Sequence, residues 1–320
     1  MENTAIQIPA IVSIGDLVAD VIVSIPHLPV ETGQHQIADR IQMEPGGGAN
    51  FLITGARLGY PMAAIGVLGD DLWGHLVARL VAAEGVDLSG VRHSGTTTTV
   101  IVLVGQAGEH VFLGKYGHGP VIDLEVSMFE QIGQAAAVFC AGYTLREQRL
   151  FDLTVTAMRL AKQSRIPVYF DPGPQITDVP APVRTEIISL IDVLLGTDEE
   201  VGLLADREDL AKLMRAGPHT VVVKRGSQGC TVYTNRQPDP AATIPGHAVP
   251  VLDTSGAGDS FNAAFMVARL RGWTVVDSAR LANAVGAAKV QKLGGGRNMP
   301  TLAEITEIVS RFNLELPTLS

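Results

Sequence analysis

Short apolar runs that alternate with helical stretches constrain the fold of this chain more than any other feature of its sequence. The runs have the length of buried strands and lie at residues 10–14, 63–68, 137–140, 167–170, 193–195 and 220–224. Helical patterns occur between and after them, at residues 50–58, 73–84, 147–163, 258–271, 275–292 and 302–312. Strands that alternate with helices form βαβ units, which give parallel sheets covered by helices on both faces. The sequence therefore predicts an α/β fold with a mostly parallel central sheet.

Two regions depart from this alternation and predict a second, smaller sheet. Residues 21–43 and 96–113 alternate apolar and polar side chains as strands do, and the second region turns near Ala107, Gly108 and Glu109. Such a small sheet is marginally stable unless something covers it. Because no internal repeat or interdomain linker interrupts the chain, we expect one domain over residues 1–320 from which this sheet projects.

Composition limits the classes of function that are open to the chain. Its 320 residues are 46% hydrophobic and 18% charged, which suits a globular protein with a large core. A net charge of −9 argues against a surface for nucleic acid or for an anionic membrane. The sequence has neither a membrane-length apolar stretch nor a signal-peptide pattern, and Cys140 and Cys230 lie in apolar runs typical of buried thiols. We expect a cytoplasmic protein with neither of these partners.

A glycine-rich segment at residues 253–259 carries the strongest chemical signal. It reads Asp-Thr-Ser-Gly-Ala-Gly-Asp and leads directly into an apolar helical pattern. Glycines let an anion approach the backbone, and a helix N-terminus attracts phosphate. Asp259 would repel that anion, unless it takes a proton from a substrate hydroxyl while the amides of Gly256, Ala257 and Gly258 stabilise the transferred phosphoryl group. We favour this kinase chemistry over an aspartate cap on an ordinary glycine turn.

This segment resembles the C-terminal signature of the ribokinase-like (PfkB) family of carbohydrate and nucleoside kinases. Similar pieces follow in the family's order from near residue 10 to near residue 300. The resemblance implies the ribokinase-like fold, in which the small sheet is a lid over the sugar site and, in several members, the dimer contact. It implies an enzyme that uses ATP and Mg²⁺, with Asp259 as the general base and the three amides as an anion hole.

We therefore expect a phosphotransferase that acts on a hydroxyl of a small sugar or sugar derivative, and a homodimer formed through the lid. A nucleoside kinase is the alternative within the same fold, although the few aromatic residues favour a sugar over a nucleobase. A non-catalytic sugar or nucleotide sensor is a further alternative. A dinucleotide-dependent oxidoreductase is disfavoured, because no Gly-x-Gly-x-x-Gly follows the first strand.

Residues in the N-terminal half are the candidates for binding the sugar. Asp20 matches the family's aspartate for substrate hydroxyls, and Asn50 matches its asparagine. Gly46 fits the second glycine of a Gly-Gly pair, but Pro45 stands where the first glycine is usual. Gly47 takes a place that is lysine in ribokinase itself, which indicates that ribose is not held here as it is there. For Asn50, the alternative is a helix cap.

Two further candidates for the substrate follow predicted strands, where ligands gather in open parallel sheets. They are Asp16 and Tyr143. A turn or cap role is the alternative for Asp16. A packed position at the edge of the lid is the alternative for Tyr143. Asp171 also follows a strand, in a Pro-Gly turn that either interpretation accommodates.

Nucleotide and metal contacts are implied in the C-terminal half. Thr197 and Glu200 resemble the family's Asn-x-x-Glu element, which organises Mg²⁺ through water, with threonine in place of asparagine; an acidic helix start is the alternative. The nucleotide candidates are Thr197, Lys224, Gly226, Gly229, Thr254 and Asn283. A plain hairpin would need the same glycines as the nucleotide loop. In some family members a monovalent cation such as K⁺ binds nearby, and its candidates here are Asp253, Ser255, Gly294 and Asn298.

Overall fold

The structure is a computed structural model that describes residues 8–106, 109–174, 176–205, 209–237 and 239–318. The strands are β1 (Ile11–Ile25), β2 (Arg40–Gly47), β3 (Met62–Leu68), β4 (Asp87–His93), β5 (Thr99–Gly105), β6 (His110–Lys115), β7 (Ala137–Ala141), β8 (Val168–Asp171), β9 (Val193–Thr197), β10 (Thr220–Lys224), β11 (Cys230–Thr234) and β12 (Ala242–Ile244). The helices are α1 (Gly48–Arg57), α2 (Leu72–Ala82), α3 (Val126–Gly133), α4 (Phe151–Gln163), α5 (Ala181–Leu190), α6 (Asp198–Leu204), α7 (Leu210–Ala216), α8 (Ala257–Leu270), α9 (Val275–Lys289) and α10 (Leu302–Arg311).

The central sheet confirms the expected α/β architecture. Its strand order is β12-β11-β10-β9-β8-β7-β1-β3-β4, and every pair from β10 to β4 is parallel. Only β11 and β12, at one edge, pair antiparallel. The carboxyl ends of the parallel strands therefore lie along one edge, where α/β proteins bind their ligands.

Two apolar clusters cover the two faces of this sheet. Side chains of successive residues of β1 alternate between them, since Ile11 packs in one cluster and Val12 in the other. Helices α1, α8 and α9 contribute to the first cluster, and α3, α4 and α5 contribute to the second. Burial on both faces explains why the central strands read as continuous apolar runs. Both cysteines are buried free thiols, as expected.

The lid is formed by β2, β5, β6 and residues 19–25 of β1. Strand β1 pairs with β3 and β7 through its first residues, and then with β2 and β5 through its later ones. The apolar run seen in the sequence covers only residues 10–14 of this strand, because Gly15, Asp16 and Asp20 interrupt the pattern beyond it. Ala107 and Gly108 of the expected lid turn lie outside the described residues. The short strands β4 and β12 were missed by the sequence analysis.

No helix in the described part of the chain is long and apolar enough to cross a membrane.

Candidate active site

The N-terminus of α8 presents unpaired backbone amides at the ligand edge of the sheet. Gly256 caps the helix with a left-handed φ of 74°, and no side chain accepts from the first turn. Among the described residues, neither the Gly256 nor the Gly258 amide donates a hydrogen bond to the protein. The Ala257 amide instead donates to the Thr254 carbonyl at 3.1 Å. Two of the three amides expected in the anion hole are therefore free to bind a ligand, and the third holds the turn.

Asp259 lies in the first turn of α8 and is held by Asn50 from α1. The Asn50 Nδ2 atom donates to Asp259 Oδ2 at 3.0 Å, and its Oδ1 atom accepts from the Gly296 amide at 2.8 Å. Asn50 is not a helix cap, because Gly47 occupies the N-cap position of α1. The amide thus fixes the orientation of the carboxylate across 209 residues of sequence.

The surroundings of Asp259 raise the pKa of its carboxyl group towards neutral pH. Burial raises the pKa of Asp259 to about 6, and the Asp171 carboxylate adds to the rise. The hydrogen bond from Asn50 and the charges of Lys224 and Lys289 act in the opposite direction. A base with a pKa close to the working pH is the kind that general-base catalysis favours.

Asp20 lies close to Asp259 and packs against Gly46 of β2. A Cβ atom at Gly46 would lie 2.1 Å from Asp20 Oδ2, so a side chain at this position would displace the carboxylate. Burial raises the pKa of Asp20 to about 7, and the nearby Asp259, Asp16 and Glu44 carboxylates contribute. The structure therefore brings together Asp20, Gly46 and Asp259 as the sequence predicted.

Asp16 and Gly47 are linked by backbone contact. Gly47 has a φ of 56°, and a Cβ there would lie 2.5 Å from the Asp16 carbonyl oxygen, which explains why no long side chain stands at this position. Burial, followed by the Glu147 carboxylate, raises the pKa of Asp16 to about 7, against the effect of Arg149. Glu147 and Arg149 form a buried ion pair at 2.9 Å, which the sequence analysis missed.

A second network, centred on Asp171, lies below the anion hole. Asp171 Oδ2 accepts from Lys224 Nζ at 2.7 Å and from Asn262 Nδ2 at 2.6 Å. The Lys224 Nζ atom lies 3.5 Å from where a Cβ of Gly258 would stand, so its charge is adjacent to the free amides. Sequence reasoning selected Lys224 but missed Asn262 and did not choose Asp171. The signal for Asn262 was its position three residues after Asp259 on one helix face.

Thr197 and Glu200 form a complete capping box at the start of α6. Thr197 Oγ1 accepts from the Glu200 amide at 3.2 Å, and Glu200 Oε2 accepts from the Thr197 amide at 2.7 Å. One carboxylate oxygen of Glu200 is thus engaged within the protein. Burial and the Asp171 carboxylate raise the pKa of Glu200, whereas Lys224 lowers it. The structure shows the capping role that the sequence analysis held as the alternative.

The predicted nucleotide loop is the turn between β10 and β11. Gly226 and Gly229 have φ values of 55° and 91°, and a Cβ at Gly229 would lie 2.1 Å from the Ile244 carbonyl oxygen. Asn283 Nδ2 donates to the carbonyls of Ile244 and Pro245 at 3.3 and 3.1 Å. Asn283 thereby fastens α9 to the end of β12, next to the same turn.

Tyr143 stands at the carboxyl end of β7 and is partly exposed. Its ring lies 3.3 Å from where a Cβ of Gly173 would stand. Burial, followed by the Asp171 and Asp259 carboxylates, raises the pKa of Tyr143 to about 12. The phenol therefore stays neutral beside these groups and is available as a hydrogen-bond donor.

Asp253 is held by backbone amides. Its two carboxylate oxygens accept from Ser255 at 2.8 Å and from Gly294 at 2.6 Å. Asn298 follows in the same glycine turn, and its amide donates to the Gly295 carbonyl at 3.0 Å. The turn is also attached to the lid, because Glu44 of β2 binds the backbone and guanidinium of Arg297. The sequence analysis missed this Glu44–Arg297 link.

Comparison with known proteins agrees with this geometry. Residues 9–302 match the sequence profile of the pfkB family carbohydrate kinases. An ATP-dependent ribose-1-phosphate kinase from Halopiger xanaduensis is 32% identical over 95% of this chain and 99% of its own. A ribokinase from Arabidopsis thaliana is 29% identical over 94% of this chain and 81% of its own.

The fold comparison extends this result. The structure of Arabidopsis thaliana ribokinase complexed with ribose and ATP matches with a TM-score of 0.80 at 27% identity, over 95% of this chain and 99% of that one. These matches confirm the resemblance seen in the sequence. The chain therefore belongs to the PfkB family of carbohydrate kinases, which are phosphotransferases with an alcohol group as acceptor.

Proposed function

We propose that this chain transfers the γ-phosphoryl group of ATP to a hydroxyl of a small neutral sugar, with Asp259 as the general base. The observation that carries the proposal is the pairing of Asp259 with Asn50 beside the free Gly256 and Gly258 amides. This arrangement places a proton acceptor next to an anion-binding helix start, and phosphoryl transfer to an alcohol needs both.

The reaction follows from these positions. Asp259 takes the proton of the sugar hydroxyl as its oxygen attacks the γ-phosphorus, and the bond from phosphorus to the β-phosphate oxygen breaks. The free amides of the anion hole and the positive end of α8 stabilise the charge on the transferred group. Lys224 contributes a fixed ammonium on the same side, oriented by Asp171.

The nucleotide side of the site uses Gly226, Gly229, Thr254 and Asn283, next to the β10–β11 turn. Mg²⁺ would neutralise the phosphate charge when bound. Among the described residues, no group of three or more His, Cys, Asp or Glu side chains is arranged to hold a metal. Mg²⁺ keeps several waters and needs only one or two carboxylates besides the phosphates. Glu200 supplies such a carboxylate through its second oxygen, acting through water.

The charge of the site favours a neutral substrate. Asp16, Asp20 and Asp259 lie near one another, and their pKa values are raised to about 7, 7 and 6. Mutual repulsion contributes to the rise at Asp20. The cavity beneath the lid is lined by Asp20 and Asp253, and by no lysine or arginine among the described residues. A sugar phosphate or sugar acid would meet repulsion there, whereas sugar hydroxyls satisfy carboxylate acceptors.

A phosphoryl-acceptor screen tests this function. ADP release would be measured with ATP and Mg²⁺ across pentoses, hexoses, sugar acids, sugar phosphates and nucleosides, with Asp259→Asn as the control. We expect a neutral pentose or hexose to give the highest kcat/KM, roughly tenfold or more above any anionic analogue. The best activity on ribose-1-phosphate would refute the neutral-sugar assignment. Sugar binding without Asp259-dependent ADP release would support the sensor alternative.

The nucleoside alternative is not favoured, because the relatives by sequence are named ribokinase, fructokinase and ribose-1-phosphate kinase. A nucleoside as the best acceptor in the same screen would reverse this choice. The cytoplasmic location expected from the sequence stays a prediction for cell fractionation to test.

The lid supports a homodimer as part of this proposal. Its inner face contributes Ile22, Val102 and Phe112 to the cavity. The alternate residues Ile101 and Leu113, which pair across β5 and β6, point to the other face and are exposed. An apolar sheet face of this kind is stabilised when another copy covers it. Light scattering at micromolar concentration should give twice the monomer mass, and a monomer with and without substrate would refute the dimer.

A further inference from the structure

A fully buried lysine lies behind the anion hole and has no part in the mechanism above. Lys289 is the last residue of α9, and its side chain has 0% exposure to solvent. A buried ammonium costs several kcal/mol unless nearby groups compensate it. Its burial therefore calls for a specific role.

Lys289 ends α9 beside the point where the loop before the anion hole joins this helix. Its Nζ atom donates to the Lys292 carbonyl at 3.1 Å. Burial lowers the pKa of Lys289, and the Asp253 and Asp259 carboxylates oppose this change. The loop rests on the same helix end, because the Leu252 amide donates to the Val290 carbonyl at 2.7 Å. The ammonium thus lies where two segments join directly behind the phosphate-binding amides.

This is also the region in which the sequence suggested a monovalent cation, and the residues do not fit one. Both oxygens of Asp253 already accept amide protons from Ser255 and Gly294. The Lys289 ammonium already donates to the Lys292 carbonyl. The Lys292 ammonium is paired with Glu304 and donates to the Met299 carbonyl at 3.3 Å. An added cation would meet the buried Lys289 ammonium, and both oxygens of the Asp253 carboxylate are already engaged by amides.

We propose that the Lys289 ammonium is the built-in cation of the anion-hole loop and that this kinase needs no added monovalent cation. Lys289 acts as a positioning residue: it neutralises the end of α9 and holds residues 252–255, from which the free amides follow. The kinetic half of this inference rests on the proposed function, whereas the cation-binding half does not.

The experiment compares KCl with tetramethylammonium chloride at equal ionic strength, using thermal melting and ADP release. The wild-type protein should show the same melting temperature and turnover in both salts. Lys289→Ala removes the ammonium and leaves space, so K⁺ should raise its melting temperature by binding the folded state. Its turnover without K⁺ should fall roughly tenfold to hundredfold, and K⁺ should restore part of it.

Lys292→Met is the matched control, because it removes an ammonium of the same turn that is partly exposed and paired with Glu304. It should acquire no potassium-dependent stabilisation. Stabilisation or activation of the wild-type protein by K⁺ would overturn the inference, and so would a folded Lys289→Ala protein that gains neither. If that variant does not fold, the wild-type potassium titration decides alone. A wild type without kinase activity would refute the proposed function and leave the melting comparison valid.

Discussion

Helices α6 and α8 start at the same edge of the sheet, but only α6 has its N-terminus capped by side chains. Helix α6 follows β9 directly, and its first turn is closed by the reciprocal bonds of Thr197 and Glu200. Helix α8 starts at Gly256, and no side chain closes its first turn. Both carry an acidic residue in that turn, but Glu200 caps its own helix, whereas Asp259 bonds to Asn50 of another helix.

The difference shows how one local feature serves stability in one place and chemistry in another. A helix start leaves four amides without intrahelical partners, and a side-chain cap satisfies part of that demand. Where the cap is absent, the amides and the positive end of the helix are available to an anion. Glycine at position 256 is what keeps α8 open.

Of the variants that test this difference between α6 and α8, Asp259→Asn should lower turnover the most. It removes the base and keeps the shape of the side chain, so turnover should fall by roughly two to four orders of magnitude with much less effect on ATP affinity. Steady-state ADP release measures this. Glu199→Gln, which removes an exposed carboxylate from the first turn of α6, is the control and should change turnover little. Near-normal turnover of Asp259→Asn would end the catalytic assignment.

Gly256→Ala should give the second largest effect. A methyl group at a φ of 74° costs about 1–2 kcal/mol, and its Cβ would lie 3.2 Å from Met299 Sδ, so the free amides should shift. We expect turnover to fall by roughly tenfold to hundredfold.

Gly272→Ala, just beyond the C-terminus of α8, is the control for this strain. Gly272 has a φ of 81°, and a Cβ there would contact nothing within 4 Å. It should lower the melting temperature as Gly256→Ala does, without the loss of turnover. Equal turnover in both variants would show that the open helix start has no catalytic role.

The pH dependence of kcat/KM should test whether Asn50 stabilises the ionised form of Asp259. Asp259 must be ionised to act as a base, and its pKa is about 6, so kcat/KM should fall about tenfold per pH unit below that value. Asn50→Ala removes a donor that stabilises the ionised form, so the acid limb should move to higher pH by about one unit. An unchanged limb, measured as kcat/KM from pH 4.5 to 8, would contradict the assignment of this pKa to Asp259.

Thr197→Ala should have the smallest effect. Loss of the cap should lower the free energy of unfolding by about 1 kcal/mol, measured by urea denaturation. Thr301→Ala is the matched control, since Thr301 and Glu304 form the same capping box on α10. Both variants should lose similar stability, and only Thr197→Ala should raise KM for ATP. Equal KM values for ATP in the two variants would show that Thr197 caps α6 and has no role in binding the nucleotide.

The sequence was sufficient for the fold, and it also predicted Asp259 as the base, because both rest on local signals. Apolar runs buried on two faces predict parallel strands, and the glycine segment before Asp259 predicts an anion site. The sequence did not predict hydrogen bonds between residues that are far apart along the chain. Asn262 meets Asp171 across 91 residues, and this pairing depends on strand order and register. The burial of Lys289 likewise follows from how α9 packs, although its sequence position is that of an ordinary helix-ending lysine.

Strand β1 belongs to both sheets, which makes the lid inseparable from the body of the enzyme. Asp20 pairs with Glu44 of β2 and with Val100 of β5, a few residues after β1 leaves β3 and β7. A protein engineer who exchanges lids between relatives must therefore exchange Asp20 and Gly46 as well. The lid and the proposed substrate-binding residues therefore form one unit of exchange, and new acceptor specificity should be sought by grafting residues 19–47 together with 99–115.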